Sequence, residues 1–233
     1  ISLDEIAVCD ENNRCEKITL FDEHYQYSYA GWSPDGTEIV FSARQSYSPW
    51  ALYIADLEGN IKDLIPVGSD LNCMFPVWSP DSEWIAFHGG GELQIIRPDG
   101  TGKKILIKNS KINCPGGIAW SPDSQKIAWI GGTCGSTPTH ILTINKNGSG
   151  YNQIYPEFSP IKFKNYPKVK WGMIAWSPDG SKIIFMDEEN KSHQIEVDCR
   201  SDSLACKPIE KSEIGEFPDH WLAQYNPQWD KKQ

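Results

Sequence analysis

The segment Gly31-Trp32-Ser33-Pro34-Asp35-Gly36 returns three times, as Val77-Trp78-Ser79-Pro80-Asp81-Ser82, Ala119-Trp120-Ser121-Pro122-Asp123-Ser124 and Ala175-Trp176-Ser177-Pro178-Asp179-Gly180. A degraded echo, Pro227-Gln228-Trp229-Asp230, stands near the C-terminus, and the five tryptophans are spaced by 46, 42, 56 and 53 residues. Each copy carries turn chemistry. Pro has its φ preset for the first central position of a type I turn, Asp tolerates the second, and Gly follows where a left-handed backbone is wanted. Such a turn joins two antiparallel strands.

The strands on either side can be read outward from the turns. Glu38-Ile39-Val40-Phe41-Ser42, Trp84-Ile85-Ala86-Phe87, Lys126-Ile127-Ala128-Trp129 and Lys182-Ile183-Ile184-Phe185 follow the four turns and have the apolar, β-branched or aromatic make-up of buried strands. A third strand follows at Ala51–Ile54, Leu93–Ile96, His140–Thr143 and Gln194–Val197. A turn and a short fourth strand come next, as at Ile61–Leu64 and Lys104–Ile107. Four antiparallel strands recurring at this period predict an all-β protein, a β-propeller of four-stranded blades. Residues 1–233 read as one domain of about five blades. Glu5–Val8 and Lys17–Leu20 match third and fourth strands, and the match ending at Trp229 supplies a first strand. The two ends together would close a fifth blade, or the chain is a piece of a larger propeller.

The Trp-Ser-Pro-Asp-Gly turn, followed by Ile-Val-Phe or Ile-Ala-Phe and then a Tyr-Ile or Gln-Ile strand, resembles the TolB-type, WD40-like propeller repeat over about Tyr27 to Ile209. The resemblance implies the fold. It leaves function open among partner-binding periplasmic proteins, gating propellers of peptidases and polysaccharide lyases.

Composition narrows the field. The 22 basic and 31 acidic side chains give a net charge of −9, which argues against nucleic acid as a partner. No run of 18 apolar residues is present, so no membrane-spanning helix is expected. The opening Ile1-Ser2-Leu3 suggests a processed or excised chain. Among seven cysteines, Cys9 and Cys15 bracket one turn, Cys199 and Cys206 bracket another, and Cys114 and Cys134 flank the third repeat turn. Three disulfides are expected, with Cys73 left over, and with them an oxidising compartment, extracellular or periplasmic. Seven buried thiols are the alternative.

In the repeat, the Ser-Pro-Asp turns and the third-to-fourth strand turns share one face, and the longer, irregular loops lie on the other. All five histidines map to the second face or to strand ends beside it, and this is the expected binding face because loops on a rigid scaffold carry function. One cluster there is aromatic: Phe21, Tyr25, Tyr27 and Tyr29, with Arg44, Tyr47 and Trp50 in the next loop. It reads as a protein or sugar contact, or as one face of a strand entering the blade. A basic stretch, Lys162 to Trp171, contains Lys164, Tyr166, Lys168 and Trp171 and suits an acidic partner, or simply guards a strand edge. Acidic and histidine residues, with His24, Asp187, His193 and His220 as weak metal candidates, read rather as a solvated rim. No metal site or cofactor is expected.

The hexapeptide is read as structural, and no nucleophile elbow, His-Glu-x-x-His motif or P-loop occurs. The expectation is therefore a secreted or periplasmic, non-catalytic module that binds a protein through its irregular-loop face. Two rivals stand beside it: a lectin-like propeller or metal-assisted polysaccharide lyase, and a structural component of a larger surface or envelope assembly.

Overall fold

A computed structural model describes residues 6–9, 14–18, 20–21, 25–66, 73–108, 114–132, 140–155, 169–187, 191–197 and 209–210. Four antiparallel four-stranded sheets follow one another along the chain. Blade 1 is β3 (Tyr25–Trp32), β4 (Glu38–Gln45), β5 (Ala51–Asp56) and β6 (Ile61–Ile65). Blade 2 is β7 (Met74–Trp78), β8 (Ile85–Gly89), β9 (Glu92–Ile96) and β10 (Lys104–Ile107). Blade 3 is β11 (Cys114–Trp120), β12 (Lys126–Gly132), β13 (His140–Asn145) and β14 (Asn152–Tyr155). Blade 4 is β15 (Val169–Trp176), β16 (Lys182–Asp187), β17 (Ser192–Glu196) and β18 (Ile209–Glu210). Ahead of them β1 (Ile6–Cys9) and β2 (Cys15–Ile18) form a hairpin, as the third- and fourth-strand matches require. The fifth-repeat segment around Trp229 lies outside the described residues.

First strands of neighbouring blades lie side by side, β3 with β7, β7 with β11 and β11 with β15, which makes them the inner strands about a common axis. The core sits between blades. On β8, Ile85 and Phe87 pack with Val40, Leu52 and Ile54 of blade 1, while Ala86 on the opposite face joins Ile118, Trp120 and Trp129 of blade 3. The period-2 alternation of each strand therefore feeds two seams, which is why strands such as Ile39–Ala43 are buried on both faces. Each fully buried Ile, Leu or Phe contributes about 1.5–3 kcal/mol.

The repeat turn has one hydrogen-bond pattern in all four blades. Ser33, Ser79, Ser121 and Ser177 donate their Oγ protons to Oδ1 of Asp35, Asp81, Asp123 and Asp179 at 2.5–2.6 Å. Each serine Oγ in turn accepts the backbone N–H of Glu38, Trp84, Lys126 or Lys182 at 2.8–2.9 Å. The serine hydroxyls, with the backbone N–H of Ser181, Thr37 and Gln125 two residues on from each Asp, hold the Asp179 carboxyl down at about 2, and Asp35 and Asp123 below the ordinary range. The last position of the turn is left-handed in every copy: Gly36 (φ 73°), Ser82 (60°), Ser124 (58°) and Gly180 (70°). Ser124 gains something in return, since its hydroxyl accepts the Asp81 N–H of the preceding blade at 3.0 Å.

The signature tryptophans do more than fill blade interiors. Trp120 Nε1 donates to the Val77 carbonyl (3.2 Å) and Trp176 Nε1 to the Ala119 carbonyl (3.1 Å), so each indole ties its blade to the one before.

Candidate functional site

The end of blade 1 opposite the Ser-Pro-Asp turn gathers several of the expected binding residues. Arg44, near the end of β4, donates from Nε to Gln26 Oε1 (3.0 Å) and lays its guanidinium 4.6 Å from the centre of the Trp50 ring. The stacking is worth roughly 0.5–2 kcal/mol and fixes the cation's position. Trp50 itself is only 9 % exposed, so it serves as the floor beneath Arg44. Its carbonyl accepts the Cys73 N–H (2.8 Å), which anchors the 45–50 loop to the chain entering blade 2. Ser48 closes this loop by donating N–H and Oγ–H to the Gln45 carbonyl, and Ser46 takes a positive φ of 46°. At the tip, the Tyr47 side chain is fully exposed.

Tyr25 takes a different position. It stacks on Phe21 with ring centres 4.1 Å apart and an interplanar angle of 17°. Phe21 also contacts Tyr27 and Tyr53, and its N–H donates to the Tyr27 hydroxyl (3.1 Å). Tyr27, Phe41 and Tyr53 belong to the blade 1 core, so the strand-face reading holds for Tyr25 and Tyr27. Burial pushes the Tyr53 phenol up to about 12, with Tyr25 and Asp63 adding to the effect.

The alternation breaks at Tyr29. The β3–β4 register shifts between Ser28 and Ala30, and Tyr29 takes φ 45°. Three residues before the next signature tryptophan, Phe75 does the same, with φ 55° at a shift between Met74 and Val77. A left-handed backbone costs a non-glycine residue about 1–2 kcal/mol. The bulges turn the two rings toward each other, with centres 3.9 Å apart. Tyr29 remains 43 % exposed, whereas Phe75 is 9 % exposed. The inner strands approach closely beside the pair: a Cβ on Gly31 would stand 3.4 Å from the Pro76 carbonyl oxygen.

The described histidines differ in environment. His193 Nε2 lies 2.7 Å from Asp187 Oδ2, both side chains buried, with the imidazole stacked on Phe185. Asp187 Oδ1 also accepts the Lys191 N–H (2.8 Å), which rigidifies the pair. His88 is buried with Nε2 unpartnered, and burial pushes its imidazole down to about 3. Half-buried His140 is likewise shifted down by burial. Two of the four metal candidates are thus brought together, but among the described residues no group of three or more His, Cys, Asp or Glu side chains converges. His24, His220, Lys164, Tyr166 and Lys168 lie outside the described residues, and Trp171 is described only as part of β15.

Four buried polar atoms of the described residues lack a hydrogen-bond partner: Ser42 Oγ, Trp78 Nε1, His88 Nε2 and Gln94 Oε1, all in blades 1 and 2. Trp78 contrasts with Trp120 and Trp176, whose indoles reach the carbonyl before the preceding tryptophan. The equivalent acceptor would be the Gly31 carbonyl. Each such orphan costs about 1–3 kcal/mol.

Of the cysteines, Cys9 and Cys15 are direct cross-strand partners in the β1–β2 hairpin. Cys114 pairs across its ladder with Gly132, and Cys134, Cys199 and Cys206 lie outside the described residues. Cys73, left over in the sequence, is a buried free thiol between blades 1 and 2, pushed up to about 12 by burial.

No protein-family model and no curated protein sequence matches the chain. Solved structures do. The structure of a nidogen/laminin complex matches with a TM-score of 0.63 at 13% identity, covering 88% of this chain and 70% of that one. TolB from Acinetobacter baumannii matches with a TM-score of 0.60 at 16% identity, covering 82% of this chain and 46% of that one. The oligogalacturonate lyase of Vibrio parahaemolyticus gives 0.61 at 15%, covering 88% and 59%. The chain thus spans about half to two thirds of the length of these structures, and at such identities the likeness is one of fold. No described helix is long and apolar enough to cross a membrane. The chain is a β-propeller with a TolB-like fold.

Proposed function

We propose that the chain is a non-catalytic binding module that engages a protein partner through the irregular-loop face of blade 1. The observation that carries this reading is Tyr47, fully exposed at the tip of a loop whose base is held by the Arg44–Trp50 stack and the Arg44–Gln26 hydrogen bond. Tyr and Arg are frequent interface hot spots, and a preorganised guanidinium loses little freedom on binding. A neighbour crystallised as a nidogen/laminin complex adds support from the fold. The same reading places the protein in an oxidising compartment with a Cys9–Cys15 disulfide, supported by their cross-strand register.

The test is site-specific photo-crosslinking. A photoreactive phenylalanine at position 47 should capture one discrete protein from the exported fraction of the native cells. The same probe at Glu58, exposed in the β5–β6 turn of the opposite face, should capture none. Equal capture from both positions, or none from position 47, contradicts the proposal.

A further inference from the structure

Two cations of blade 2 converge on one buried indole. The centre of the Trp84 ring, 7 % exposed, lies 5.2 Å from Cζ of Arg97 and 4.9 Å from Nζ of Lys104. One cation over an indole is a common stack, but two compete for the same quadrupole and repel each other. Among the described residues neither forms an ion pair. Asp99, in the turn between them, commits Oδ1 to the Thr101 N–H (2.8 Å) and hydroxyl (2.7 Å). The turn itself is closed tightly on the cluster. A Cβ on Gly102, which has φ 66°, would stand 3.4 Å from the indole and 3.5 Å from the Arg97 stem.

Lys104 also begins β10, the outer strand of blade 2, whose far edge pairs with no described strand. Ile105, next along, is 41 % exposed, and the exposed Lys103 and Lys108 flank the strand. The equivalent strand of blade 1, β6, exposes Lys62 and Asp63 instead, charges that offset each other. From this juxtaposition we infer that β10 takes up an acidic, extended segment of a partner protein as an added strand. Its carboxylates meet Arg97 and Lys104, and its backbone pairs with the open edge of β10. Successive residues of a strand point to opposite faces, so Lys104 and Ile105 together call for a segment that alternates acidic and apolar side chains. The lysines repel a second copy of β10, which sets this partner apart from self-pairing. An anionic polysaccharide would answer the charge but neither the open backbone edge nor Ile105. The surface lies on blade 2, away from the Tyr47 loop of blade 1, and stands or falls independently of the loop-face reading.

The test is an NMR titration of the purified, isotope-labelled chain with the peptide acetyl-Glu-Val-Glu-Val-Glu-Val-amide. Saturable shifts should centre on the backbone amides of residues 103–108 and on the Trp84 indole. N-methylation of the valines and N-methylation of the glutamates block opposite edges of the peptide, so one of these two versions should fail to bind. The counterpart with Lys in place of Glu should not bind. Arg97→Gln with Lys104→Gln should weaken the peptide at least tenfold. Lys103→Glu, which leaves both ring contacts in place, should weaken it too, with the thermal midpoint of the free protein unmoved. Tyr47→Ala should leave peptide affinity unchanged. Absent shifts in β10, binding by both N-methylated peptides, affinity undiminished in Lys103→Glu, or equal binding of a heparin oligosaccharide at the same residues would each overturn the inference.

Discussion

At the hairpin end, Ser33, Ser79, Ser121 and Ser177 make the same two hydrogen bonds in four successive blades. At the opposite end, the second strands finish in Arg44-Gln45, His88-Gly89, Gly131-Gly132 and Asp187, which share neither chemistry nor partners. The difference teaches how this repeat divides its labour. Where one solution recurs, it answers a problem every blade has, namely turning the chain and satisfying its backbone. Where each blade departs from its neighbours, the departure has to be explained by that blade alone.

The largest effect that can break this comparison is at a signature tryptophan. Trp176→Ala removes a buried side chain and its bond to Ala119, and should lower stability by about 3–5 kcal/mol in denaturant titration. A loss below about 1 kcal/mol would mean that the seams are not what holds the blades together.

Acid sharpens the comparison further, because the two ends titrate in different windows. His88 at the loop end has its imidazole depressed to about 3 from an ordinary 6.5. Between those values the unfolded chain binds a proton that the folded one refuses, so stability falls as pH drops through that window. His88→Gln should flatten this limb of the stability–pH curve. Asp179 at the hairpin end has a carboxyl depressed to about 2 from an ordinary 3.8. Its contribution is intact above 3.8 and is lost as pH falls towards 2, and Asp179→Asn should flatten only that lower limb. A single limb insensitive to both variants would contradict the assignments.

Smaller still, Ser177→Ala leaves the Lys182 N–H without its acceptor and should cost about 1–3 kcal/mol. Tyr47→Ala should change stability by less than about 0.5 kcal/mol, since nothing packs on its ring.

The scaffold was largely legible in the sequence because turn chemistry and strand alternation are local. The strand beginning at Glu38 and those beginning at Ala51 and Lys104 start where their patterns start. Longer-range features were not legible. The Trp120 and Trp176 bonds to the preceding blade depend on how blades dock, and no spacing encodes them. Tyr25, Tyr27 and Tyr29 look equivalent in an alternating run, yet a bulge sends Tyr29 to Phe75 in the next blade. Trp50 and Tyr47 are both aromatic residues of one loop, and only tertiary packing decides that the first is floor and the second is tip. In sequence Asp187 and His193 read as part of a solvated acidic rim; the β16–β17 ladder instead buries them as a bonded pair.

The division of labour is tested most directly by measuring thermal midpoint and affinity for the crosslinked partner together in Arg44→Ala, Tyr47→Ala and Ser33→Ala. The two loop-face variants should lose at least tenfold in affinity, with the Tyr47→Ala midpoint unmoved, while Ser33→Ala lowers the midpoint and keeps its affinity. Affinity lost in Ser33→Ala but retained in Arg44→Ala and Tyr47→Ala would contradict the account.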